Sequence, residues 1–301
     1  MPDAEIVATG VRFPEGPVWC PPPRGSVEPG SIVCTSVADG ALERVDLATG
    51  VVERVADLGG GANAAWPVTD GGFLVTQNGG IDFAARAPGL FDPPPPYRPV
   101  TPGIQRVLPD GSVSYLADEG FLAPNDLVVS EDGVVWFTDP PHFPPPADPV
   151  GTLHRLDPDG TTHVVADGFQ YCNGIALEPG GTLVVVEASG LVRVDPNGDT
   201  PGAREWITKH IGASAGDGIC LDADGRIYVA ATADHGVRVL DPDGTEVEFL
   251  ALPGNGITTN CCFGGLDGRT LFATDGVPGT LVAWEGLPTP GLPVHPWRPR
   301  H

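Results

Sequence analysis

Short apolar runs alternate with tight-turn residues along most of the chain. The run Leu127–Val129 is followed by Asp132-Gly133, and a second apolar run resumes at 134–137. Asp-Gly accepts a positive φ at both central positions of a two-residue turn, so it closes β-hairpins. Because Asp-Gly occurs eleven times, the pattern predicts an array of antiparallel hairpins.

A longer repeat is superimposed on the hairpins. Six segments have in common a polar residue beside Gly, Pro or Thr, followed by an apolar run, a turn and a second apolar run. Their leading residues are Glu15, Asn63, Asn125, Asn173, Asp217 and Asn260. They lie 43 to 62 residues apart, which matches one four-stranded propeller blade. We therefore predict an all-β fold, a six-bladed β-propeller of four-stranded antiparallel blades, in a single domain over residues 1–301.

Four further segments have a predicted place in this ring. The run 5–8 would add an outer strand to the last blade and remove the free sheet edges. Residues 87–102 and 140–149 are rich in Pro, which is excluded from central strands, and are predicted to be loops over one mouth of the ring. The Pro-rich residues 288–301 are predicted to form a C-terminal tail.

Composition and charge restrict the class of protein. The 42 Gly and 35 Pro residues disfavour long helices, and the net charge of −23 opposes binding to nucleic acid or anionic lipid. We expect neither partner, and the sequence does not predict an oligomeric state. The acidic N-terminus lacks the features of a signal peptide, and the six cysteines form no C-x-x-C pair. These features predict a cytoplasmic protein with reduced, buried thiols.

The polar residues that open the innermost strands of a propeller converge at one mouth of its channel. Four of them offer only oxygen donors, namely Glu15, Asn125, Asn173 and Asp217. Hard cations prefer such ligands, and two carboxylates offset a divalent charge. The sequence predicts one bound divalent cation, calcium first, with magnesium or manganese as alternatives. Zinc more often takes His or Cys.

The segments around these residues resemble the gluconolactonase/regucalcin family, also called the senescence-marker-protein family. They are FPEGPVW (13–19), APNDLVV (123–129), WFTDPP (136–141), CNGIA (172–176), GDGI (216–219) and TNCCFGG (259–265). The resemblance implies a six-bladed propeller that binds one divalent cation, usually calcium and sometimes zinc. It implies that Glu15, Asn173 and Asp217 are metal ligands and that Asp217 is the catalytic base. Asn125 would lie near the metal and contact the substrate.

We therefore expect a metal-dependent hydrolase that opens a lactone, with a small molecule as its substrate. The cation would polarise the carbonyl group, and Asp217 would take a proton from the attacking water. Two alternatives stay open: hydrolysis of an organophosphate or other activated ester at the same site, and a calcium-binding propeller without turnover. Further candidates for the wall of the substrate pocket are Asn63, Asn78, Asn260, Arg106 and His235.

Three motifs are interpreted as structural. Residues 212–216 match G-x-S-x-G, but the predicted strand follows this motif instead of preceding it, which argues against a serine nucleophile. Residues 222–225 resemble the start of an EF-hand loop and are interpreted as a hairpin turn. Asp139 is interpreted as a turn residue.

Overall fold

A computed structural model describes residues 3–197, 200 and 202–299 of the chain. It folds into six four-stranded antiparallel sheets arranged as a ring, so the prediction of a six-bladed β-propeller is confirmed. The innermost strands of neighbouring blades contact one another around the ring. Apart from the first strand of the chain, the strands of every blade follow one another in sequence as hairpins, as the Asp-Gly turns predict.

The blades have the following strands. Blade 1 is β2 (Pro14–Cys20), β3 (Ser31–Ser36), β4 (Ala41–Asp46) and β5 (Val52–Asp57). Blade 2 is β6 (Ala62–Pro67), β7 (Phe73–Gln77), β8 (Gly103–Val107) and β9 (Val113–Ala117). Blade 3 is β10 (Leu127–Val129), β11 (Val135–Asp139), β12 (Gly151–Leu156) and β13 (Thr162–Phe169). Blade 4 is β14 (Cys172–Leu177), β15 (Leu183–Glu187), β16 (Gly190–Val194) and β17 (Arg204–Thr208).

Blade 5 is β18 (Gly216–Leu221), β19 (Ile227–Ala231), β20 (Gly236–Leu240) and β21 (Glu246–Ala251). Blade 6 is β22 (Thr258–Gly264), β23 (Thr270–Asp275), β24 (Thr280–Trp284) and β1 (Glu5–Thr9). The first strand of the chain thus completes the last blade, with Glu5 opposite Ala283, Thr9 opposite Thr280 and a register shift between Ile6 and Ala8. The predicted closure of the ring is confirmed.

The hydrophobic core is divided among the blade interfaces. Six clusters of buried side chains each join two neighbouring blades, because both faces of every sheet are apolar. A seventh, smaller cluster packs the helix α1 (Phe83–Arg86) and the loop after it against Phe13. The six cysteines are free thiols; three of them are buried, as predicted, and Cys20, Cys220 and Cys262 are half-buried. No helix in the described ranges is long and apolar enough to cross a bilayer.

The predicted Pro-rich C-terminal tail is bound to the ring by hydrogen bonds. Residues 287–297, which we call the C-terminal strap, run under the ring at the end opposite the leading polar residues. The Leu292 amide donates to the Leu221 carbonyl in blade 5, and the Trp297 amide donates to the Pro67 carbonyl in blade 2. Trp297 itself is only 4% exposed and packs between blades 2 and 3. Residues 300 and 301 of the predicted tail lie outside the described residues.

The two Pro-rich loops follow β7 and β11, and they therefore leave the blades at the same end as the leading polar residues. The Arg86 guanidinium donates to the Phe143 carbonyl at 2.9 Å, which joins the segment around α1 to the loop 140–149. The Gln170 amide donates to the Pro146 carbonyl at 2.8 Å and fixes the second loop to blade 4.

Candidate functional site

Equivalent positions of the innermost strands bring the leading polar residues together at one mouth of the channel. In five blades, the pairing between the first and second strands shifts register beside the leading residue. The shifts are Glu15/Val18, Ala62/Ala65, Cys172/Ile175, Gly216/Ile219 and Thr258/Asn260. A β-bulge bends the strand and redirects its side chains. The same local irregularity therefore presents the leading polar residue of five blades to the channel.

Threonine hydroxyls on the second strands hold these residues in place. The Thr35 hydroxyl donates to the Asn63 carbonyl at 2.7 Å, and the Thr76 hydroxyl donates to the Asn125 carbonyl. Each threonine thus contacts the leading residue of the next blade. A third bond of this kind joins the Thr138 hydroxyl to the Asn173 carbonyl at 2.7 Å. All three bonds lie in the buried interior, where they are protected from water.

Three carboxylates face the site, one more than the sequence analysis assigned; Glu15 is buried and Asp217 is half-buried. The additional one is Asp126, beside Asn125 and 5% exposed. The Asn260 side-chain amide donates to both oxygens of Asp126, at 2.9 and 3.0 Å, and to Glu15 Oε2 at 3.1 Å. Asn260 therefore links blades 3, 6 and 1 across the channel. No sequence signal separates Asp126 from an ordinary strand residue.

Burial and mutual repulsion make this site strongly unfavourable for negative charge. Burial, then the charges of Asp217 and Asp126, raise the pKa of Glu15 well above its ordinary value. Burial and the charge of Asp126 raise the pKa of Asp217, against the opposing effect of a hydrogen bond from Asn173. Burial raises the pKa of Asp126 to about 7, although the hydrogen bond from Asn260 acts to lower it. A cation placed among these groups would relieve the repulsion.

Two buried oxygen atoms at the site have no donor among the described residues. They are Asn125 Oδ1 and Asn173 Oδ1. A buried acceptor without a donor is costly, and an oxygen-binding cation satisfies it. The predicted ligand set of two carboxylates and two amide oxygens therefore fits a hard divalent cation. No group of three or more His, Cys, Asp and Glu side chains in the described part of the chain is arranged to hold a metal ion alone.

The mouth also contains polar and aromatic groups suited to substrate contact. The Asn78 side-chain amide donates to Asn63 Oδ1 at 3.4 Å and orients Asn63. The Nδ2 atom of Asn63 has no acceptor among the described residues. Tyr171 is a residue that the sequence analysis missed. Burial and the nearby charges of Asp217 and Glu15 raise its pKa.

The prediction of Arg106 as a pocket residue is wrong. Arg106 lies on the third strand of blade 2, and its guanidinium pairs with Asp70 in the turn between β6 and β7. That turn is at the opposite end of the blade from Asn63, so Arg106 is remote from the mouth. His235 lies in the turn between β19 and β20, at the same end as Asp217, and its Nδ1 is hydrogen-bonded to the Gly256 carbonyl.

Asp139 is the last residue of β11, where the sequence analysis expected a turn residue. Its carboxylate accepts hydrogen bonds from the backbone amides of Leu122 and Ala123, which shapes the connection into blade 3. The other two motifs have the structural roles that were expected. The G-x-S-x-G motif leads into β18, so a strand follows it. Residues 222–225 form the turn between β18 and β19, with the Asp222 carboxylate accepting from two backbone amides of that turn.

The sequence is similar to that of a known protein family over most of its length. The profile described as SMP-30/Gluconolactonase/LRE-like region matches residues 13–276. The chain belongs to this family. A relative within the family is the gluconolactonase of Zymomonas mobilis, which is 28% identical over an alignment covering 89% of this chain and 77% of the relative.

Solved structures of the SMP-30/gluconolactonase family have the same fold. A gluconolactonase from Xanthomonas campestris superposes with a TM-score of 0.72 at 24% identity, covering 94% of this chain and 89% of the other. A calcium-binding regucalcin from Agrobacterium tumefaciens gives a TM-score of 0.78 at 19% identity, covering 100% and 98%.

Proposed function

We propose that the protein is a divalent-cation-dependent hydrolase that opens a lactone, and that calcium is its cation. The observation that carries this proposal is the mouth of the channel, where two repelling carboxylates lie with two buried amide oxygens that lack donors. Support for the reaction comes from the gluconolactonase of Zymomonas mobilis. Support for the cation comes from the regucalcin structure, whose protein is described as calcium-binding.

Each residue has a distinct role in this proposal. Glu15, Asn125, Asn173 and Asp217 would hold the cation, which when bound supplies positive charge that polarises the lactone carbonyl. Asp217 would accept the proton of the attacking water, because its carboxylate lies beside the position proposed for the cation. Asn63 would donate its unused Nδ2 hydrogen to an oxygen atom of the substrate.

The test is proton release from a panel of sugar and aliphatic lactones, with added calcium and with a calcium chelator. We expect acid production that requires calcium and is abolished by Asp217→Asn. The matched control is Asp167→Asn, which changes an exposed aspartate in blade 3. Full turnover by Asp217→Asn would remove Asp217 from the reaction.

Phosphotriesters and activated aryl esters, added to the panel of lactones, separate the alternative activities. Turnover of a phosphotriester or an activated aryl ester, without turnover of any lactone, would replace the proposed substrate while keeping the site. A protein that binds calcium and hydrolyses none of these compounds would be a binding propeller.

A further inference from the structure

A large cavity occupies the channel below the candidate site. It has a volume of about 800 Å³ and is lined by the innermost strands of all six blades together with the strap. Its roof includes Asp126 and Asn260, the pair joined by the amide-carboxylate hydrogen bonds. None of Glu15, Asn125, Asn173 and Asp217 lines it. The cavity therefore meets the candidate site only at Asp126 and Asn260, and it contains none of the four proposed cation ligands.

The wall of this cavity is mainly apolar. Its side chains include Val128, Ile175, Ala176, Ile219 and Phe263. Pockets of this size and composition bind small molecules, with a few polar groups fixing the orientation. The apolar wall favours a ligand with a hydrocarbon body over a hydrated ion.

Four Asp and Glu side chains line the cavity, and His295 is the one basic side chain in its described lining. Glu131 and Asp132 lie on the turn between β10 and β11, at the lower rim, and neither takes part in an ion pair with a described residue. Glu178 is also at this rim but is neutralised by Arg193 at 2.8 Å. No Lys or Arg is among the described residues of the lining. A cationic group is therefore favoured at the rim, and an anionic group is repelled.

The strap shapes the entrance. It contacts blades 6, 5 and 2 through backbone hydrogen bonds, and the turns of blades 3 and 4 form the rest of the rim. The Trp66 indole lines the cavity and donates its N–H to the His295 carbonyl of the strap at 2.9 Å. This bond fixes the position of the indole at the cavity wall, and aromatic rings attract organic cations.

From the volume, the apolar wall, the acidic rim and the fixed indole, we infer that the lower cavity is a binding site for a small amphiphilic cation. Such a ligand has a hydrocarbon body in the channel and a protonated or quaternary amine at the rim beside Glu131 and Asp132. The site contains none of the four proposed cation ligands and does not depend on them.

The test uses three probes with the same eight-carbon chain: octyltrimethylammonium, octyl glucoside and octyl sulfate. Each is titrated by calorimetry into the full chain with calcium present. We expect the cationic probe to bind with one-to-one stoichiometry and the anionic probe at least about tenfold more weakly. Equal affinity for all three probes, or no binding of the cationic probe, overturns the inference.

Two sets of variants test the location. The double variant Glu131→Gln/Asp132→Asn removes the rim charge, and we expect it to weaken binding of the cationic probe by about tenfold. The matched control, Asp118→Asn/Glu119→Gln, removes an exposed adjacent acidic pair outside the cavity lining and should leave binding unchanged. Equal losses of affinity for the cationic probe in both variants would show that only the net charge of the protein matters. That result would overturn the assignment of the site to the lower cavity.

Filling the cavity with Ala176→Phe should abolish binding of the cationic probe, once thermal unfolding confirms that the variant is folded. If it does not fold, a diazirine-bearing octyltrimethylammonium gives a second measurement on the unmodified protein. We expect photo-crosslinks in peptides of the lining, such as those containing residues 175–177 or 292–295. Crosslinks confined to other surfaces overturn the proposal.

Discussion

The hydroxyl of Thr138 in blade 3 lies 2.7 Å from the carbonyl oxygen of Asn173 in blade 4. Thr138 also accepts the backbone amide of Asp126 at 3.2 Å. One buried side chain thus bonds to the backbone of two residues at the site, in two different blades. The spacing of the candidate ligands is therefore determined by contacts between blades as well as by each blade separately.

Replacing this hydroxyl tests that relationship. We expect Thr138→Val to lower the free energy of unfolding by about 1–3 kcal/mol, because a buried carbonyl and a buried amide lose a partner. Calcium affinity should fall as well, since Asn173 and Asp126 lose the same support. Chemical denaturation and calcium titration measure the two effects, with the exposed Thr101→Val as control. A loss of stability with unchanged calcium affinity would confine the threonine to a role in folding.

Gly218 lies against the side chain that joins the carboxylates. A Cβ atom at this position would be only 1.9 Å from Asn260 Cγ. We expect Gly218→Ala to displace Asn260 from Glu15 and Asp126 and to weaken calcium binding by about tenfold or more. Gly180→Ala is the matched control, because its Cβ would meet nothing within 4 Å. Calcium titration of both variants measures the difference, and similar affinities would show that Asn260 does not organise the site.

The burial of Trp297 predicts that the strap contributes to stability. We expect Trp297→Ala to lower the free energy of unfolding by about 3–5 kcal/mol, as other large truncations in protein cores do. Trp206→Ala is the control, because that side chain is 45% exposed. Urea denaturation with tryptophan-independent detection, such as circular dichroism, compares the two variants. A small effect of Trp297→Ala would mean that the strap is only loosely attached.

The buried carboxylates predict a pH-dependent stability of the calcium-free protein. Because the pKa of Asp126 is raised to about 7 in the folded state, its ionisation destabilises the fold increasingly as the pH rises from about 4 through 7. We expect Asp126→Asn to remove this loss and to stabilise the calcium-free protein by on the order of 2 kcal/mol at pH 8. At pH 4 the difference should be small.

Thermal unfolding in chelator, across this pH range, measures the effect of Asp126→Asn. Added calcium should stabilise the unmodified protein, because a ligand that binds only the folded state raises its stability. Asp167→Asn serves again as the exposed control. If Asp126→Asn had the same dependence of stability on pH as the unmodified protein, the ionised Asp126 carboxylate would not be the source of the destabilisation.

The sequence predicts the repeating part of this fold well. Apolar runs and Asp-Gly turns are local signals, and each hairpin depends on residues close in the chain, as with the pairing of Leu221 and Ile227 around the turn 222–225. The leading residues of the blades, such as Glu15 and Asp217, could be located because the repeat places them at equivalent strand positions.

Features that depend on contacts between distant segments were missed. Asp126 joins the site through Asn260, 134 residues away, and nothing in its local sequence shows this. Arg106 was assigned by residue type, but its pairing with Asp70 is decided by the direction of β8. The strap was interpreted from its Pro content alone, although Trp297 supplies a buried anchor and backbone carbonyls supply partners that do not require regular strands.

The pairing of β1 with β24 has a consequence for how the protein is made. A ribosome makes β1 before β24, so β1 has no partner while the blades between them are completed. A chain that stops before Thr280 carries an open ring with unprotected sheet edges at its seam. Exchange of β1 between two complete molecules would close both rings with the same backbone bonds, which makes a strand-swapped dimer the characteristic misassembly of this topology.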